Sequence, residues 1–152
     1  MKELLTAIVL WLSTNFGLPP FHDHPRVEFV PAPQIAAIRS KGLDGKRPVQ
    51  SGTVVGQPVQ IAQVISVYDD STKTIYLPDG WTSSQPADLS VLVHEMVHHL
   101  QNIAGLKFAC PQEREQLAYR AQERWLGLFG HDLVHDFELD AFTLLVKTKC
   151  FY

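Results

Sequence analysis

Cysteine is scarce in this chain. Cys110 and Cys150 are the two present among 152 residues, too few for the disulfide framework that holds many small secreted domains together. They can join in one bridge or stay as two buried thiols, and the sequence leaves both open. Basic clusters are also absent. Thirteen Lys and Arg stand against sixteen Asp and Glu, for a net charge of −3, which argues against a nucleic-acid or anionic-membrane partner. There is no repeat or low-complexity tract. Long apolar runs are missing too. The run from Leu4 to Leu12, interrupted by Thr6, falls well short of the roughly 20 residues a membrane span needs, so no transmembrane segment is expected. It could be the apolar region of a secretory leader. Glu3 among the leading residues and the lack of a small-x-small site after Leu12 favour a packed first helix, ended by Gly17 with Pro19-Pro20 beyond. That reading leans towards the cytoplasm rather than export.

What is present is enough apolar material for a core. At 45% hydrophobic residues, the chain suits a single domain over 1–152. Arg26 to Val30 alternates like a short strand, and Gln34 to Arg39 suits a short helix introduced by Pro33. Ser40 to Pro58 is rich in glycine and reads as a long loop or ragged hairpin. Val59 to Tyr68 and Lys73 to Leu77 predict an antiparallel hairpin across Asp69-Asp70-Ser71-Thr72. Three helices should follow: Pro86 to Ala104, a second from Pro111 that ends before Gly130, and a last one covering most of Phe137 to Lys149. The expected class is α+β, a small antiparallel sheet beside a helical half.

The chemistry lies in the first of these helices. His94-Glu95-Met96-Val97-His98 is an HExxH motif. Histidines four apart stack on one helix face within reach of a single tetrahedral ion, and Glu95 between them can act as general base towards water. On a helical wheel Leu92, Val93, Met96 and Leu100 belong to one apolar arc. His94 and His98 fall outside it, facing a cleft, whereas histidines of the core would fall within it. His99, at the arc's edge, reads as structural or solvated. The competing reading is an exposed polar face that matches the motif by accident.

A third protein ligand is needed, with the fourth position left to water. In the helix from Pro111, Glu115 and Gln122 fall inside the apolar arc, and a carboxylate there needs a partner. At 1.5 Å per residue the first helix runs about 9 Å past His98, so a returning helix comes level again near residues 115 to 117. Ala118 is small enough to let the two helices approach. Glu115 is therefore the expected third ligand. It could instead pair with Arg114 or Arg120, leaving Glu113, Cys110, His131, His135 or Asp140 to complete the site. Gln122 is placed to hydrogen-bond a ligand. His131 and His135, also four apart, could hold a second ion, but with Asp132 they read as the polar start of a helix.

HEMVH followed seventeen residues later by Glu115 resembles the gluzincin branch of the zincin metallopeptidases, especially the small minigluzincins. The likeness covers roughly Gln60 to Phe129. The longer run HEMVHHLQ also looks like that of small uncharacterised bacterial HExxH proteins. Metzincins would need Gly at 101 and His at 104, where this chain has Gln101 and Ala104. The resemblance implies a zincin-like fold, one zinc ion held by His94, His98 and Glu115, and Glu95 as the base. Larger gluzincins carry an acidic residue four after the ligand Glu. Tyr119 stands there in this chain, so another group must orient the histidine, or Tyr119 has a different task such as donating to the oxyanion.

The expected function is thus a zinc metallopeptidase acting on a peptide or protein. Zinc would polarise the scissile carbonyl and acidify the water whose proton Glu95 takes and returns to the leaving amine. A strand near Lys73 to Leu77, at the sheet edge, could align an extended substrate. The alternatives are a non-catalytic interaction domain of zincin fold and a zinc hydrolase of a non-peptide amide.

Overall fold

The N-terminal apolar run forms α1 (Lys2–Phe16) in the computed structural model, which describes residues 1–43 and 66–151. Leu5, Ile8, Val9 and Leu12 share one face at helical spacing and are buried. Gly17 stops the helix in the left-handed region at φ 67°, where a Cβ would be strained, and its N–H bonds Ser13 O. The first helix is therefore a packed element of the core. Among the described residues no helix is long and apolar enough to cross a membrane.

Strand β1 (Arg26–Val30) leads through Pro31 into α2 (Ala32–Leu43). The helix expected from Gln34 is thus longer at both ends, and takes in the first residues of the predicted loop. The rest of that loop, and the strand expected from Val59 as far as residue 65, lie outside the described residues. The chain resumes into β2 (Val67–Asp69) and β3 (Thr74–Pro78), which pair antiparallel with Tyr68 opposite Ile75. Asp69 accepts hydrogen bonds from Ser71 N and Oγ, which tightens the turn between them.

The sheet corrects two expectations. Its order is β1-β3-β2, and β1 runs parallel to β3 with Val27 opposite Ile75 and Phe29 opposite Leu77. It is a mixed sheet, not an antiparallel one. The excursion through α2 leads into β2, which runs opposite to β1, and the short turn into β3 restores the first direction. Consequently β3 is the central strand, with Thr74, Ile75 and Leu77 buried, and cannot offer a free edge near Lys73 to Leu77.

Two long helices follow, α3 (Pro86–Ile103) and α4 (Pro111–Gly127), each with proline in the first turn. Gly105, at φ 67°, lets the chain leave α3. Helix α3 is the centre of the molecule. It packs on α1, α4, β2 and β3, and every residue from Ser90 to Gln101 is buried. The expected division into an apolar side and an open polar side therefore holds only in part, because other elements cover the polar side. Ala118 and Ala121, both fully buried, allow α4 to lie close to α3.

The expected last helix, over most of Phe137 to Lys149, is α6 (Ala141–Thr148), and the polar helix start read at Asp132 opens a separate short helix before it, α5 (Leu133–Phe137). Asp132 caps the first by accepting from His135 N, and Asp140 caps the second by accepting from Thr143 N. Glu138 between them takes a left-handed conformation at φ 55°, which breaks the helical path. Cys110, before α4, is bonded to Cys150, after α6, which settles the choice between a bridge and two thiols. The class is α+β, with six helices and three strands among the described residues.

Candidate metal centre

One helical turn separates His94 from His98, and the second helix brings Glu115 to meet them. His94 Nε2 and His98 Nε2 are 3.2 Å apart. The Glu115 carboxylate spans both, with Oε2 at 3.0 Å from His94 Nε2 and Oε1 at 3.3 Å from His98 Nε2. The His94 and His98 side chains are only 11% and 7% exposed, against 26% for Glu115, so the carboxylate faces the open side. Among the described residues these three form the one group of three or more suited to hold a metal ion.

The spacing tests the fit. Bonds of about 2.0–2.1 Å at a tetrahedral ion place neighbouring ligand atoms about 3.3–3.4 Å apart. The observed separations of 3.0–3.3 Å fall at or just below that edge, and two imidazoles with one carboxylate are an accepted donor set for zinc. Electrostatics agree. Burial alone would raise the Glu115 carboxyl, but hydrogen bonds from His94 and His98 outweigh it and hold it far below the ordinary range. Burial would lower His98, but the hydrogen bond and charge of Glu115 outweigh it and the imidazole is raised. Either protons or a metal ion must sit among these three groups.

Around the triad lies a cleft of about 820 Å³, within the usual size of small-ligand sites at about 300–1,000 Å³. Glu95 lines it and accepts a hydrogen bond from Ser66 Oγ. Tyr119 lines it too, edge-on to the His94 ring at 4.6 Å between centroids. Burial, with the nearby Glu115 charge, pushes the Tyr119 phenol up, so it keeps its proton. The far wall is the α5–α6 region, including Phe137, Leu139, Thr143 and Lys147.

The other ligand candidates are engaged elsewhere. Glu113 accepts from Ala109 N at the start of α4, and Cys110 is in the disulfide. His131 pairs with Asp136 and His135 with Asp132, so they do not meet over a second ion. Asp140 is a helix cap. Arg114 turns to Asp70 with two hydrogen bonds of 2.8 and 3.0 Å, which leaves Glu115 to the histidines. His99 is structural, fully buried between the Tyr68 hydroxyl and Asp23 O.

Gln122 does meet a candidate ligand: its Oε1 lies 3.0 Å from His94 Nδ1. Gln101 does the same for His98 Nδ1 at 3.1 Å, and sequence reasoning missed it. Its position three after His98 on one helix was the available signal. Ser66 carried none, being 29 residues from Glu95.

A family model described as "Domain of unknown function (DUF6647)" matches residues 1–151. No curated protein matches the chain, and no solved structure does.

Proposed function

For this chain, which belongs to that family of domains of unknown function, we propose a zinc-dependent metallopeptidase of zincin-like build. One observation carries the proposal: the two Nε2 atoms and the Glu115 carboxylate lie at 3.0–3.3 Å from one another, close to the edge length of a tetrahedral zinc site. They do so on the wall of a cleft that also holds a buried carboxylate, Glu95.

His94, His98 and Glu115 would hold the ion, which when bound polarises a carbonyl and acidifies water. The remaining work falls to the chain's own groups. Glu95, held by Ser66, takes the proton of the attacking water and returns it to the leaving amine. Such general base and acid catalysis contributes about 10²–10⁴-fold. Tyr119 keeps its phenolic proton and lines the same cleft, which suits it to donate to the oxyanion. Substrate alignment cannot use β3, because both of its edges are paired.

Zinc analysis of the purified protein, followed by a peptide-library digest, tests the reading. Wild type should carry one zinc ion and cleave. Glu95→Gln should keep the zinc and lose cleavage by about 10²–10⁴-fold. Glu115→Ala should lower zinc content sharply. Full activity in Glu95→Gln would remove the general base, and unchanged zinc in Glu115→Ala would remove the ligand set.

A further inference from the structure

The two glutamines beside the histidines form hydrogen-bond chains whose direction is fixed at their far ends. Ser90 Oγ donates to Ala87 O at 2.7 Å. A backbone carbonyl only accepts, so the Ser90 proton is committed and its oxygen is left to accept. Gln122 therefore presents its amide nitrogen to Ser90 Oγ at 3.2 Å, and its carbonyl to His94 Nδ1 at 3.0 Å. The second chain ends in the same way. Gln101 Nε2 donates to Arg114 O at 3.1 Å, which turns its Oε1 to His98 Nδ1 at 3.1 Å. Both amides are buried, at 2% exposure for Gln101 and 4% for Gln122, so water does not offer either imidazole a substitute partner.

From this geometry we infer that Gln101 and Gln122 are positioning residues that set the tautomer of both metal-binding histidines. Each Nδ1 must carry a proton to meet an amide oxygen, so in the neutral imidazole it is Nε2 that presents its lone pair to the centre. The chains also cross the helix pair in opposite senses. Gln122 reaches from α4 to His94 on α3, and Gln101 reaches from α3 to the α4 backbone at Arg114, next to Glu115. Packing of α3 on α4 and the aim of the ligands are thereby one arrangement. Because the acceptors are neutral amides, the imidazoles are not made more basic as a carboxylate would make them. A divalent cation held by two neutral imidazoles and one carboxylate keeps a net positive charge, which strengthens it as a Lewis acid.

This inference rests on the metal reading, and the test separates the two. Zinc affinity is measured by competition with a chromophoric chelator for wild type, Gln122→Leu and Gln101→Leu, all as the full chain. Long-range proton–nitrogen NMR on the zinc-loaded proteins reports which ring nitrogen carries the proton. The leucine variants should bind zinc about 10–100-fold more weakly, and Gln122→Leu should lose exchange protection at His94 Nδ1–H while His98 keeps it. A wild type that takes up no zinc overturns the metal centre itself. Wild-type binding matched within twofold by both leucine variants, with both Nδ1–H signals still protected, overturns the role of the glutamines alone. Should a leucine variant fail to fold, a zinc-loaded wild type whose Nδ1–H protons exchange as freely as those of exposed imidazoles overturns it equally.

Discussion

Helices α3 and α6 both carry an apolar stripe at helical spacing, yet their surroundings are opposite. Helix α3 is enclosed by α1, α4, β2 and β3 and is buried at every residue from Ser90 to Gln101. Helix α6 packs chiefly on α4 and has no fully buried residue. Its Phe142, Leu145 and Val146 are 72%, 47% and 45% exposed. An amphipathic pattern thus says which face of a helix wants cover, while the neighbouring elements decide whether it gets any. Helix α3 is placed by the hydrophobic effect. Helix α6 is placed by a cap at Asp140, a hydrogen bond of 3.1 Å from Gln116 Nε2 to Thr148 O, and the Cys110–Cys150 bond. Both nonetheless border the same cleft.

The largest expected effect lies in α3. Leu92 is fully buried, and Leu92→Ala should cost about 2–5 kcal/mol through lost transfer energy and the cavity left behind. Urea unfolding measures it. A cost below about 1 kcal/mol would mean that α3 is not the enclosed element described here. The same closeness makes the metal centre sensitive to this change, because His94 lies two residues away on the same helix.

Second in size is the disulfide, which closes a separation of 40 residues. A loop of that size restricts the unfolded chain by about 4 kcal/mol on the chain-entropy account, so Cys110→Ser with Cys150→Ser should lower stability by about 2–4 kcal/mol. Hydrogen exchange then sharpens the contrast. Amides of α6 should lose protection well before those of α3. Equal loss in both would make the bond a support of the whole core.

What was legible in the sequence follows the same division. The HExxH pair, the end of α1 at Gly17 and the proline starts of α3 and α4 are local patterns, and the structure bears out the elements. Glu115 and Gln122 were found on a wheel because each is a polar residue in an apolar arc. The direction of β1 was not legible, since its partner β3 lies more than forty residues on and no local pattern states parallel or antiparallel. The helix start at Asp132 was legible, but the last helix was set to begin near Phe137 although its capping Asp140 was visible. Glu138, left-handed between the two helices, gives no sign of that turn in the sequence.

An effect of middle size concerns pH. The raised His98 in the metal-free protein contributes stability that is fully present below its unfolded value of about 6.5 and is lost as pH rises through its folded value. The depressed Glu115 contributes the opposite way, but loses its share only as pH falls far into the acid range. On the proposed reading zinc would displace the His98 proton, so its affinity should climb by up to about tenfold, or 1.4 kcal/mol, per pH unit while His98 still titrates. Melting temperatures with a chelator and with zinc, taken upward from about pH 6.5, should therefore diverge. Parallel curves would mean that zinc binds without displacing that proton.

The smallest expected effect tests the exposed helix directly. Leu145 is 47% exposed on α6, so Leu145→Ser removes little buried apolar surface and should change stability by no more than about 0.5 kcal/mol. Zinc content should also stay the same, since α6 contributes Thr143 and Lys147 to the cleft wall but no ligand. Urea unfolding and metal analysis on one preparation read both. A loss near that of Leu92→Ala would show that the apolar stripe of α6 is covered in solution, and the contrast with α3 would then reduce to which partner covers each.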